Sequence, residues 1–129
     1  MKIVTIVCST VLVLLSACQE STPKPTIEAL SVNKAFDESA APNAICRTFT
    51  ITKDKVSLFF QLATEVSSAE FHGEAIILPC KYEGTIRIDK QHYQWIIHAG
   101  GAGYLFDDRG TNKRFICKND CCNKIKELC

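Results

Sequence analysis

The stretch GTIRIDKQHYQWIIHAGGAGYLF, residues 84–106, decides how the rest of the chain is read. Successive side chains of a strand point to opposite faces, so Ile86 and Ile88 share one face. Asp89–His92 reads as a turn, and Tyr93, Trp95 and Ile97 share one face of the returning strand. HAGGAG, residues 98–103, interrupts the alternation. Its glycines permit a tight bend or bulge and do not make a phosphate loop, because no lysine follows them and no helix opens after them. Tyr104–Phe106 resume the ladder, DDRGTN (107–112) turns, and Arg114–Cys117 form a last strand. The expectation is an antiparallel β-meander.

Outward from the meander, ICRTFTIT (45–52) is β-prone and reads as a strand. Thr52 then caps a helix over 53–66, with Asp54 near the positive end of its dipole. Val56, Phe59, Phe60, Ala63 and Val66 recur at helical spacing and give that helix one apolar face. Phe59 and Phe60 read as core, because a single helix needs such a face to dock. Near the other end, Asp120 caps a short helix ending at Leu128. The fold class expected is α+β: an antiparallel β-meander packed against one amphipathic helix, with a short C-terminal helix.

The beginning of the sequence has a different character. Met1 and Lys2 precede an apolar, uncharged run, Ile3–Leu15, shorter than the ~20 residues of a membrane-spanning helix. A basic start, an apolar middle and small residues at the exit make residues 1–17 a secretory signal. The exit, Leu15-Ser16-Ala17-Cys18, resembles the bacterial lipobox. That resemblance implies cleavage before Cys18 and lipidation of its thiol, leaving 112 of the 129 residues. Residue 19 is Gln where an Asp would resemble an inner-membrane retention signal, which favours the outer membrane. Residues 18–43, with Pro23, Pro25 and Pro42, read as the lipidated cysteine and a flexible tether. Residues 44–129 read as the domain.

Fifteen basic residues against fourteen acidic ones give no electrostatic footprint for nucleic acid. Six of the eight cysteines fall in the domain: Cys46, Cys80, Cys117, Cys121, Cys122 and Cys129. An even set in an exported chain reads as a disulfide framework, with fifteen pairings open. Adjacent Cys121 and Cys122 are poor partners for one another. An unbroken helix over 121–129 would hold Cys121 and Cys129 about 12 Å apart. Either that helix breaks, or Cys129 bonds elsewhere. Ligation of Zn²⁺ or Cu⁺ by CKNDCCNKIKELC (117–129) is the rival reading, but it lacks paired C-x₂-C knuckles, and no metal or other cofactor is expected.

No nucleophile elbow is present. His72, His92 and His98 match no zinc spacing, and His98 has only Asp107 or Asp108 as candidate acid–base partners. The expected binding residues are instead His98, Tyr104, Asp107, Asp108 and Arg109, which border the glycine loop and the following turn. Aromatic and Arg side chains are enriched at binding hot spots.

LPCKYEGTIRI, YQWIIHAGGAGYLF and KRFICKNDCC together resemble a loose family of small bacterial envelope proteins. The shared pattern is Pro79-Cys80, Gly84, Tyr93-x-Trp95, a glycine pair and a terminal cysteine cluster. Small disulfide-bonded periplasmic lipoproteins resemble immunity proteins and inhibitors of cell-wall-degrading enzymes. The anchor, the tether, the disulfides and the absence of a catalytic set point to a non-enzymatic, membrane-anchored binding protein of the periplasm with a protein partner, as an immunity protein or inhibitor would be. A structural or assembly lipoprotein of the envelope and a thiol- or metal-handling protein are the alternatives.

Overall fold

The computed structural model describes residues 21–36 and 44–129. The expected signal at 1–17, Cys18 and residues 37–43 lie outside the described residues. Within them, the chain runs β1 (Ile27–Ala29), β2 (Asn33–Lys34), α1 (Ala44–Thr48), α2 (Lys53–Leu62), β3 (Thr64–Val66), α3 (Ser68–Glu74), β4 (Lys81–Ile88), β5 (Gln91–His98), β6 (Ala102–Phe106), β7 (Asn112–Ile116) and α4 (Asp120–Lys124). A 3₁₀ turn, Lys126–Leu128, follows. The fold is α+β with disulfides, as expected.

The strands form one antiparallel sheet in the order β1-β4-β5-β6-β7-β3, with β2 also pairing with β4. Its centre is the meander β4–β7. Trp95 stands between Gly84 and Leu105, and Ile97 between Tyr82 and Gly103. Directly paired residues share a face, so Ile86, Tyr93, Trp95, Ile97, Leu105 and Phe115 form the inner surface. Ile86, Trp95 and Ile97 have no exposed surface. Val56, Phe59 and Phe60 of α2 are buried in the same core, joined by Phe49, Ile51, Ile125 and Leu128. Phe60 meets Phe59 and Phe115 edge-on, at 5.0 and 5.3 Å between ring centres. Gly103 leaves room for Phe59, whose ring carbon would lie 2.5 Å from a Cβ there.

The Thr52 cap is formed as expected, its hydroxyl accepting from the Lys55 amide. The helix it starts stops at Leu62, not at 66. Ala63 turns extended, and Thr64–Val66 pair with Arg114–Ile116 at the edge of the sheet. Thr64 and Val66 are β-branched and gain a ladder there that a fourth helical turn could not supply.

The expected strand at 45–52 is a correction. Residues 44–48 are helical, and Phe49 and Ile51 then enter the core from an extended segment. The edge of β4 that such a strand would need is already filled by β1 and β2. The expected tether is accordingly shortened, because Ile27–Lys34 belong to the sheet. Ala29 pairs with Ile86 and Asn33 with Glu83, so four steps along one strand match three on its partner. The surplus residue is a bulge at 30–32, where Leu30 and Ser31 both donate to the Thr85 carbonyl. Gly84 is required beneath it, since a Cβ would collide with the Ser31 carbonyl. The Ala29 amide also donates to Ser57 Oγ at 3.0 Å, tying β1 to α2.

The turn expected at 89–92 is only Asp89-Lys90, with Asp89 at a φ of 54°. The bend at Gly100-Gly101 uses φ values of 96° and 89°, which side-chain-bearing residues adopt only under strain. The helix expected from Asp120 to Leu128 breaks at Ile125, and Asn119, not Asp120, holds the cap position.

Three bridges close the framework: Cys46–Cys80, Cys117–Cys121 and Cys122–Cys129, with Cα separations of 5.4, 5.2 and 5.6 Å. The first ties α1 to the start of β4. The other two fold the segment after β7 back on itself, and the break at Ile125 is what brings Cys129 to Cys122.

Candidate functional site

The outer face of the sheet carries the opposite parity: Thr85, Gln94, Ile96, Tyr104, Phe106, Asn112 and Arg114. One end of it is covered by α3, an element with no counterpart in the sequence reading. Phe71 packs there on Ala102 and Ile116, with Val66, Ala75 and Tyr104 around them. Ser67 caps α3 by accepting from the Glu70 amide, so the Ser67-x-x-Glu70 spacing was its signal. Lys118 holds the helix to the sheet end through Glu70 and Glu74, at 3.1 and 2.8 Å. Hydrogen bonds from Lys118 to Glu74 and then Glu70 raise its pKa.

Among the described residues, nothing covers the remainder of the outer face. Ile96, Tyr104, Phe106, Asp107, Asn112 and Arg114 line a groove of about 570 Å³ there. Tyr104, Phe106 and Ile96 are half-buried. The arrangement, two aromatic rings on an apolar strip with a guanidinium and an amide beside them, suits a partner offering apolar contact and polar or acidic groups.

The expected binding residues divide. Tyr104 and Asp107 line the groove. Asp107 and Asp108 also border a hollow with His92 and Tyr93. Asp107 is occupied in shaping the turn: its carboxylate accepts from the Arg109 and Thr111 amides at 3.0 and 2.9 Å and from the Arg109 side chain. Desolvation pushes its pKa up, but hydrogen bonds from Thr111 and Arg109 outweigh that, and the carboxyl lies below its ordinary value. Arg109 also reaches Gln91 and lies 5.9 Å from the centre of the Tyr93 ring.

His98 stands apart. It lies beside the glycine bend, where Ile97 pairs with Gly103, whereas Asp107 follows Phe106, which pairs with Gln94. Four residues of strand separate the two ends, about 13 Å. The one acid–base pair considered from the sequence is therefore not assembled. His98 Nδ1 instead lies 3.1 Å from the Leu78 carbonyl, which makes Nδ1 the protonated nitrogen. Its ring meets Tyr104 edge-on at 6.1 Å. Ile96, Phe106, Asn112 and Arg114 were not singled out from the sequence. Strand alternation from Tyr104 identifies Phe106 directly, but cross-strand register is needed for the others.

Burial holds the His98 pKa below its ordinary 6.5, a nearby Lys81 acting in the same direction and the Leu78 carbonyl against them. Histidine is then neutral in the folded state and takes up a proton more readily when unfolded. Its contribution is present above pH ~6.5 and is lost as pH falls below that value. His98→Asn keeps a donor toward Leu78 and cannot titrate. Urea denaturation at pH 7.5 and 5.5 should show a smaller loss of stability for the variant than for wild type. An equal loss would contradict this assignment.

No protein-family model, curated protein or solved structure matches the chain. Among the described residues, no helix is long and apolar enough to cross a membrane.

Proposed function

We propose that the chain is a lipid-anchored, non-enzymatic binding protein of the bacterial cell envelope. In this reading it is held at the outer membrane facing the periplasm and captures a protein partner as an immunity protein or inhibitor does. The observation that carries the proposal is the open outer face of the sheet, with Ile96, Tyr104, Phe106 and Arg114 along one groove. α2 and the bridges leave that face free while fixing the strands behind it. Its support for binding is physical: rigid aromatic side chains on strands give contact area at low entropic cost.

Capture of a partner from envelope extract tests the surface. Phe106→Ala and Arg114→Ala, at two residues that line the groove, should leave the melting temperature nearly unchanged and weaken capture, whereas unchanged capture by both folded variants would count against the groove. The anchor rests on Leu15-Ser16-Ala17-Cys18 and is tested separately. Cys18→Ser should block incorporation of labelled palmitate and maturation by the lipoprotein peptidase. Wild-type labelling and partitioning of that variant would remove the anchor from the proposal.

A further inference from the structure

The four cysteines after β7 are packed more densely than two separate clasps require. Cys117–Cys121 and Cys122–Cys129 span sequence separations of only 4 and 7. Such short loops restrict the unfolded chain least, so they return little as staples. Yet the Sγ atoms of Cys117, Cys122 and Cys129, drawn from both bridges, all lie within 4.8 Å of one another. Cys121 is bonded to Cys117 and would be freed beside it on reduction. A second observation concerns access. An apolar groove of about 490 Å³, walled by Ile76, Leu78, Ile116 and Leu128, opens onto Cys117, Cys122 and Cys129. Cys129 is exposed and Cys122 half-buried, while Cys117 and Cys121 are buried. The sulfurs thus have both mutual proximity and an entry path.

We infer that this segment, once both of its bridges are reduced, is a binding site for one soft d¹⁰ cation, Zn²⁺ or Cu⁺, held by the thiolates of Cys117, Cys122 and Cys129, with Cys121 as fourth ligand to Zn²⁺. Thiolates select these ions over harder ones. Tetrahedral Zn–S bonds of about 2.3 Å place ligand sulfurs about 3.8 Å apart. On reduction the bonded Cys122 and Cys129 sulfurs part to that spacing, and Cys117, within 4.8 Å of both, closes by at most about 1 Å, within reach of side-chain rotation at exposed Cys129 and half-buried Cys122. In the oxidised protein the sulfurs are bonded in pairs and do not serve as thiolate ligands, so redox state gates the site. Opening both bridges takes up four electrons and four protons from a dithiol reductant, which leaves as two disulfides. Cation binding then displaces the thiol protons. Cys46 and Cys80 have no exposed surface and take no part.

The test uses the purified protein in a Cys8→Ser, Cys18→Ser background, so that no thiol outside the domain is counted. Mild anaerobic reduction with a phosphine, followed by desalting, should yield four alkylatable thiols. Competition against a chromophoric chelator, with Zn²⁺ and Cu⁺ in separate arms, should show one cation retained per reduced chain and none by the oxidised chain. Retention of Zn²⁺ points to four ligands and of Cu⁺ alone to three, and either supports the site. Cys122→Ser and Cys129→Ser should each weaken retention by at least about tenfold, the loss that even outer-shell changes cause at metal sites. Near-ultraviolet dichroism of Trp95 reports whether the reduced chain is folded. A folded, reduced chain that retains neither cation better than its alkylated form would overturn the inference. So would undiminished retention by both serine variants, or a reduced chain that is unfolded and that neither cation refolds.

Discussion

Trp95→Ala should lower the stability of the domain by about 3–5 kcal/mol, the usual cost of truncating a large buried aromatic side chain. Trp95 has no exposed surface and is the largest fully buried side chain among the described residues. It sits mid-strand in β5 between Gly84 and Leu105, and its Nε1–H donates to the Thr85 carbonyl at 3.2 Å. Truncation therefore opens a cavity at the centre of the inner face and also removes a hydrogen bond at the bulge that holds β1 and β2. A domain of this size has only about 5–15 kcal/mol to lose, so the variant should unfold at far lower urea concentration. A loss below about 1 kcal/mol would place Trp95 outside the core.

Removing the Cys46–Cys80 bridge should have the other large effect. Its sequence separation of 34 gives about 4 kcal/mol in the chain-entropy account, against about 2 kcal/mol for separations of 4 and 7. The bridge is also wholly buried, so its loss disturbs packing where α1 meets β4. Urea titrations of the three paired Cys→Ala variants should therefore rank Cys46/Cys80 as the most damaging. If either C-terminal pair proved costlier, cross-linking of the unfolded chain would not be the source of stabilisation.

The order of these effects reflects what was readable in the chain. The meander from 84 to 117 was legible because its inner face alternates strictly and its breaks carry glycine or Asp. Thr52 announced the start of α2 for the same local reason. The errors came where tertiary pairing overrode local pattern. Val66 continues the helical spacing of Val56, Phe59 and Ala63, yet it pairs with Arg114 in β3. ICRTFTIT has β-prone composition, but β1 and β2 occupy the edge it would need. Those two strands are short and lie in a polar, proline-bearing stretch, so no periodicity marks them. The binding candidates were found by proximity to turns, which located Tyr104 in the groove. Asp107 lines the same groove, and its carboxylate is also engaged in its own turn, which proximity alone does not reveal. The groove itself depends on register across β5, β6 and β7, which residues distant in sequence do not announce.

The claim that a partner occupies the outer face of the sheet has a direct measurement. Phe106 points into the groove, while Lys53 is exposed at the start of α2, on the side of the inner face. Replacing each in turn by a photo-cross-linking phenylalanine analogue and irradiating intact cells reports what touches each position. The expected result is a discrete larger adduct from position 106 and none from position 53. An adduct from position 53 with none from 106 would contradict the account and move the binding surface to the helical side.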